Sequence, residues 1–153
     1  YTQDWARSLN ESDKLRQYRE FKSILEPEKY ISIFTNKIFI SALARLRCSS
    51  HSLLIEVGRR TGVSVNERCC KLCKDSVSLN FIEDEFHMVL VCSSYKELRL
   101  KWIPEFYHTS PTRHKFNMLM ITQNVEEIYN LGLYLFHAFK MRDSKLEALL
   151  TNV

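Results

Sequence analysis

Four of the five cysteines in this chain lie in one short stretch, Arg68 to Cys92, together with one of its five histidines. Cys70 and Cys73 form a C-x2-C pair, and His87 and Cys92 form an H-x4-C pair, with 13 residues between the two pairs. In small zinc fingers of similar spacing, a turn supplies two thiolates and a following helix supplies the other two ligands. The stretch therefore predicts one Zn²⁺ ion bound by three sulfurs and an imidazole.

The neighbouring Cys69 leaves one position of the ligand set open, because Cys69 and Cys73 form a C-x3-C pair. We favour Cys70 because C-x2-C is the tighter common turn. A redox-active C-x2-C pair is an alternative, but it leaves His87 and Cys92 unexplained. A cluster of cysteines and histidine that binds no metal is a second alternative. Four protein ligands leave no open position on the ion, so the predicted site is structural rather than catalytic.

The pattern also predicts how the second ligand pair is presented. Asn80 with Glu83 is a helix-start signature, so a helix is expected to begin near Phe81. His87 and Cys92 are then about 140° apart around an ideal helix, which is too far for both to reach one ion. The last turn is therefore expected to loosen or end at Cys92.

Three carboxylates lie at the start of this helix: Glu83, Asp84 and Glu85. We interpret them as solvated groups that match the helix dipole, rather than as catalytic acids. The remaining histidines have no partners at an interpretable spacing, and we assign no role to His51, His108, His114 or His137.

The composition predicts a mainly α protein. The chain has 153 residues with only three glycines and three prolines, which is too few for a turn-rich sheet protein, and its 45% hydrophobic content is enough for a core. One small β-hairpin is expected where "KDSVSLNF" returns from the cysteine turn. We predict a single domain, 1–153, with a basic helical part (1–62), a zinc-finger-like insert (66–94) and carboxyl-terminal helices (95–153).

Cap residues predict where the helices begin. The predicted caps are Ser12 or Asp13, Asn36, Ser110 and Asn124, and a further short helix is expected with Ser49 or Ser50 near its start. The first of these helices would carry an apolar face from Leu15 to Leu25. The last contains Ile128 to Phe139, which is apolar on nearly every side, so it is either central to the core or partly covered by another chain.

The positive charge is concentrated in the first half of the chain. Residues 1–74 contain 14 Lys and Arg against 8 Asp and Glu, giving +6, whereas the remainder has 8 against 10, giving −2. A basic half indicates a polyanionic partner, although a solvated surface has the same composition. The candidates for contact with nucleic acid, chosen as basic residues near the cysteine motif, are Arg45, Arg47, Arg59, Arg60 and Lys71.

Nothing in the sequence predicts membrane insertion or secretion, since it has neither a long apolar run nor an amino-terminal signal pattern. Clustered cysteines in odd number suit a reducing compartment with a metal, so we expect an intracellular protein of the nucleus or cytoplasm. The chain begins "YTQDW" without Met, which is typical of a piece of a longer protein.

Several stretches together resemble the zinc-binding region that lies carboxyl-terminal to the reverse transcriptase of non-LTR retroelements of the LINE type. They are "ALARLRCSSHSLLIEVGR", "ERCCKLC" and "IEDEFHMVLVCSSYKELR", with the later "KFNMLM" and "NLGLYLFHAF". The resemblance implies that Cys70, Cys73, His87 and Cys92 bind zinc. It also implies an RNA or DNA partner during target-primed reverse transcription, beside other domains of a parent polyprotein.

The chain itself has neither a reverse transcriptase signature nor a nuclease constellation, so we expect a non-catalytic accessory piece. A retroelement and a host gene derived from one are both compatible with it. The alternative function is a zinc-stabilised module for protein interaction or dimerisation, with self-association through the helix containing Ile128 to Phe139.

Overall fold

The computed structural model describes residues 2–73 and 81–151, and their secondary structure is mainly α, as predicted. Its eight α-helices in the described ranges are α1 (Thr2–Glu11), α2 (Tyr30–Ile33), α3 (Lys37–Arg47), α4 (Leu54–Thr61), α5 (Lys96–Trp102), α6 (Glu105–His108), α7 (Arg113–Ile121) and α8 (Val125–Thr151). Single turns of 3-10 helix lie at Asp13–Leu15, Tyr18–Glu20, Val65–Glu67 and Ser93–Tyr95, and a π-helical turn spans His87–Val91.

Helix α8 is the centre of the core. It packs against α3 on one side and α5 on another, and its buried residues include Leu131, Tyr134, Leu135 and Ala138. Burial on more than one side explains why Ile128 to Phe139 is apolar nearly all round. No helix in the described part of the chain, α8 included, has the length and apolar character needed to cross a membrane.

Two of the predicted helix caps are present. The Asn36 side chain accepts a hydrogen bond from the Ile38 amide (2.9 Å) at the start of α3, and Asn124 accepts one from the Glu126 amide (2.9 Å) at the start of α8. The predicted Ser110 cap is wrong. Thr112 caps α7 instead, because Ser110 has a φ of 48° and bends the chain before the helix begins.

The helix predicted from Ser12 or Asp13 to Leu25 is wrong. Only two 3-10 turns form there, and the helix lies upstream as α1. Ile24 and Leu25, which were expected on its apolar face, are exposed. Within this segment, Arg16 forms an ion pair with Glu85, which is far away in sequence.

The predicted β-hairpin at the cysteine motif is not seen, because no strand forms within the described ranges. Cys69 and Ile82 make a single antiparallel bridge. Two hydrogen bonds flank it, from the Cys70 amide to the Phe81 carbonyl and from the Glu83 amide to the Arg68 carbonyl, both 2.8 Å long. Residues 74–80, including most of the expected return strand and the proposed Asn80 cap, lie outside the described residues.

Candidate metal centre

The four predicted ligands converge on one point. One ligand atom from each of Cys70, Cys73, His87 and Cys92 lies within 4.8 Å of the others. The Cys73 sulfur is 3.1 Å from His87 Nε2 and 3.2 Å from the Cys92 sulfur, which is 3.9 Å from the Cys70 sulfur. Metal–ligand bonds of about 2.0–2.3 Å in a tetrahedron place ligand atoms at about this separation. The group could therefore hold one metal ion.

A π-helical turn brings the second ligand pair together. The Cys92 amide donates to the His87 carbonyl (2.7 Å), a bond from residue i+5 to residue i. Residues five apart in sequence are thereby stacked on one side, which removes the angular mismatch of an ideal helix. The expectation that this helix loosens by Cys92 is confirmed, although the helix starts at Glu85 rather than near Phe81 because Ile82 is in the bridge.

Three carbonyl groups in and just after this π-turn accept hydrogen bonds from two other helices. The Tyr134 hydroxyl of α8 donates to the Met88 carbonyl (2.6 Å), and the Arg99 guanidinium of α5 donates to the Val89 (3.1 Å) and Cys92 (2.6 Å) carbonyls. Both side chains are buried. Sequence reasoning missed them, since nothing local distinguishes Tyr134 from a core aromatic or Arg99 from a surface residue.

The three carboxylates before His87 are buried rather than solvated, which corrects the sequence-based interpretation. Their exposed fractions are 2%, 6% and 0% for Glu83, Asp84 and Glu85. Each forms an ion pair with an arginine from a different part of the chain: Arg142, Arg113 and Arg16 in that order. We call Glu83, Asp84 and Glu85 the carboxylate clamp.

Glu83 joins α8 to the start of α4. Its carboxylate accepts two hydrogen bonds from Arg142, at 2.7 and 2.8 Å. It also accepts from the Leu54 amide (2.8 Å), at the amino-terminal end of α4, where Leu53 offers no side-chain cap. The helix expected to start near Ser49 or Ser50 begins at Leu54 instead, and this contact supplies an acceptor for one of the unpaired amides at its start.

Asp84 presents one ligand directly. Its carboxylate accepts a hydrogen bond from the backbone amide of His87 (2.7 Å), in the manner of a helix cap. The other oxygen pairs with Arg113, whose guanidinium also lies over the Phe86 ring. The clamp therefore fixes the residue that carries the imidazole ligand.

Glu85 is the centre of a buried network. It pairs with His51 Nε2 (3.0 Å), accepts from the Ser49 hydroxyl (3.1 Å) and pairs with Arg16 (2.9 Å). Burial raises the pKa of Glu85, but the hydrogen bond with His51 and the charge of Arg16 outweigh it and lower the pKa to about 2 from 4.5. His51, to which the sequence assigned no role, is thus part of the core.

The thiol groups are close enough to influence one another's ionisation. A hydrogen bond from Cys92 lowers the pKa of Cys70, and the same contact raises the pKa of Cys92. Cys69 lies apart from the group, with its sulfur 3.2 Å from the Asn66 carbonyl, so Cys70 is the residue positioned with Cys73.

Three of the five basic candidates lie together. Arg45, Arg59 and Arg60 line one cleft with Lys14, which we call the basic cleft. Lys71 is exposed beside Cys70 and does not line this cleft.

Arg47 was also chosen as a candidate for contact with nucleic acid, but it is buried, at 7% exposed. Its guanidinium pairs with Glu28 (3.0 Å), donates to the Met120 carbonyl and stacks over the Phe21 ring at 4.5 Å. Arg47 therefore ties the amino-terminal segment to the core.

The fold and this site define a mainly helical chain with a partly buried Cys3His group of potential metal ligands. No protein-family model, curated protein or solved structure matches the chain.

Proposed function

We propose that this chain is a non-catalytic, zinc-dependent nucleic-acid-binding accessory domain of the kind that follows the reverse transcriptase of LINE-type retroelements. In that role it holds template RNA or target DNA during target-primed reverse transcription. The observation that carries the proposal is the clustering of Lys14, Arg45, Arg59 and Arg60 around one cleft. Clustered guanidinium and ammonium groups are the usual donors to phosphate oxygens.

Zinc is the metal that the donor set favours. Three sulfurs and one imidazole form a common tetrahedral zinc environment, whereas magnesium and calcium prefer oxygen ligands. Four protein ligands leave no coordination position for a substrate or a reactive water. The metal we propose is therefore structural, and it would hold the cysteine turn against the π-turn.

The carboxylate clamp connects the metal centre to the basic cleft. Glu85 is two residues before His87 and holds His51 and Ser49, which line the cleft. Glu83 holds the start of α4, the helix that carries Arg59 and Arg60 in its last turn. An ordered metal centre therefore supports the positions of the arginines from two directions.

The cleft has a surplus of positive charge. Glu56 lies at its base and is neutralised by Arg59 (2.9 Å) and by Arg16 (3.4 Å). Lys14 and Arg60 are exposed and make no ion pair with any other described residue. At least two cations thus remain available to phosphates, which supports binding that depends on salt and little on sequence.

The test is a salt titration of binding to labelled oligonucleotides, comparing the parent chain with an Arg59→Glu and Arg60→Glu double variant. We expect affinity to fall more than tenfold. The slope of log affinity against log salt should lose about 0.7–0.9 for each phosphate contact removed. The matched control is Lys96→Glu with Lys101→Glu on α5, which makes the same change in net charge and does not line the cleft.

Equal binding by the parent and the arginine variant, over the whole titration, would remove the basis of the proposal. Equal losses in the arginine variant and the α5 control would show that net charge alone is responsible. Circular dichroism of each variant establishes that the helices are retained.

A further inference from the structure

A second depression adjoins the basic cleft, between α3 and α8. Its floor is apolar and includes Ile38, Ala42, Phe136 and Phe139, and its rim carries Lys37 and Lys140. We call it the apolar groove. Ile38 is 50% exposed and Phe136 is half-buried, so the floor is accessible from solvent.

Arg45 links the two depressions, because it lines both of them. Its guanidinium lies 5.3 Å from the centre of the Phe139 ring, on the groove side, and its Nε donates to the Ser50 carbonyl (3.3 Å), on the cleft side. The basic cleft and the apolar groove are therefore one continuous surface. Positive charge runs along it, and an apolar, partly aromatic platform lies at one end.

We propose that this surface binds single-stranded nucleic acid, with phosphates in the basic cleft and an unpaired base on the floor of the apolar groove. The inference rests on the proposed function and adds the strandedness of the ligand. A cationic track beside an aromatic platform is the arrangement by which proteins bind single strands, since every base has a face that can stack. A duplex keeps its bases paired and stacked, so it gains only the phosphate contacts.

Charge complementarity favours a polyanion over a second copy of this chain as the occupant of the groove. The chain has a net charge of +4, and the groove rim brings Lys37, Arg45 and Lys140 against a single carboxylate, Asp143. A symmetric dimer across this groove would place the cations of both copies close together, which is unfavourable.

The experiment measures affinity for four probes of equal length: single-stranded RNA, single-stranded DNA, duplex DNA, and a single DNA strand whose central nucleotides are abasic. The abasic strand keeps every phosphate and lacks the bases in question. We expect the parent to bind the intact strands about tenfold or more tightly than the duplex and the abasic strand. The two intact strands determine whether RNA or DNA is preferred.

The variant is Phe136→Leu, which removes the aromatic face and retains apolar volume in the groove. It should lower affinity for intact single strands about tenfold. It should leave binding to the abasic strand unchanged, because that strand already lacks the base that would stack on Phe136. Phe106→Leu is the matched control, because Phe106 is an exposed phenylalanine on α6 that lines neither the cleft nor the groove. Lys140→Glu, on the rim, tests the groove without touching the core.

The outcomes separate the inference from the proposed function. Binding that depends on Arg59 and Arg60 but is equal for intact, abasic and duplex probes would overturn the single-strand inference and leave the proposed function standing. No binding to any probe would overturn both. A change in sedimentation on Phe136→Leu or Lys140→Glu, without a change in binding, would identify the groove as a self-association surface and overturn the inference.

Discussion

The candidate metal centre and the carboxylate clamp lie side by side in the fold, yet only the first could be predicted from the sequence. The four ligands are confined to residues 70–92, and their spacing has a restricted chemical meaning. The clamp residues Glu83, Asp84 and Glu85 lie inside the same stretch, but their arginine partners are 59, 29 and 69 positions away. A short-range pattern predicts chemistry, whereas a long-range ion pair requires the fold.

The largest expected effect comes from breaking the metal centre. Cys73→Ser removes a sulfur that lies between His87 and Cys92, so the zinc we propose should be lost with it. We expect zinc content to fall to near zero by mass spectrometry and the melting temperature to fall by more than about 10 °C. Binding of oligonucleotides should weaken because the clamp is then released.

Cys69→Ser is the matched control for that experiment, as Cys69 adjoins the motif and its sulfur is outside the ligand group. It should retain full zinc content and stability. Zinc loss on Cys69→Ser, or zinc retained on Cys73→Ser, would contradict the proposed ligand set.

The next effect compares two pairs within the clamp. Arg142→Ala leaves the buried Glu83 carboxylate without its two strong hydrogen bonds, which should cost about 3–5 kcal/mol of unfolding free energy. Arg113→Ala makes the same substitution at the Asp84 pair, but the Arg113 side chain is 59% exposed, so its loss should cost less than about 1 kcal/mol. Urea denaturation measures both, and equal costs would show that burial does not determine the strength of the clamp.

Local rules account for the parts of the fold that the sequence predicts well. Asn36 and Asn124 cap helices because each cap needs only a side chain and a backbone amide two residues away. The same rules fail where a distant partner is stronger. Arg16 lies in a segment with helical periodicity, but its pairing with Glu85 and Glu56 accompanies 3-10 turns rather than a helix.

The candidate site divides in the same way. The ligand set and the loosening of the helix before Cys92 follow from spacing and helix geometry. Arg99, Tyr134 and His51 do not, because each acts on the site from elsewhere in the sequence. Arg47 shows the converse error, since a basic residue in the last turn of a helix has the same local pattern whether it faces solvent or Glu28.

The smallest expected effect is the pH dependence of the stability that Glu85 contributes to the clamp. The pKa of Glu85 is about 2 in the folded chain against an ordinary 4.5, so its ion pairs stabilise the fold fully above pH 4.5 and progressively less as the pH falls through 4.5 towards 2. Glu85→Gln cannot titrate, so the stability difference between parent and variant should be constant near neutrality and should close between pH 4.5 and 2. Acid would also release the zinc that we propose from its thiolates, but that loss is expected in both proteins and cancels in the difference. A difference that stays constant down to pH 2 would mean that the buried network does not depend on the Glu85 charge, and the clamp would then be held by its geometry alone.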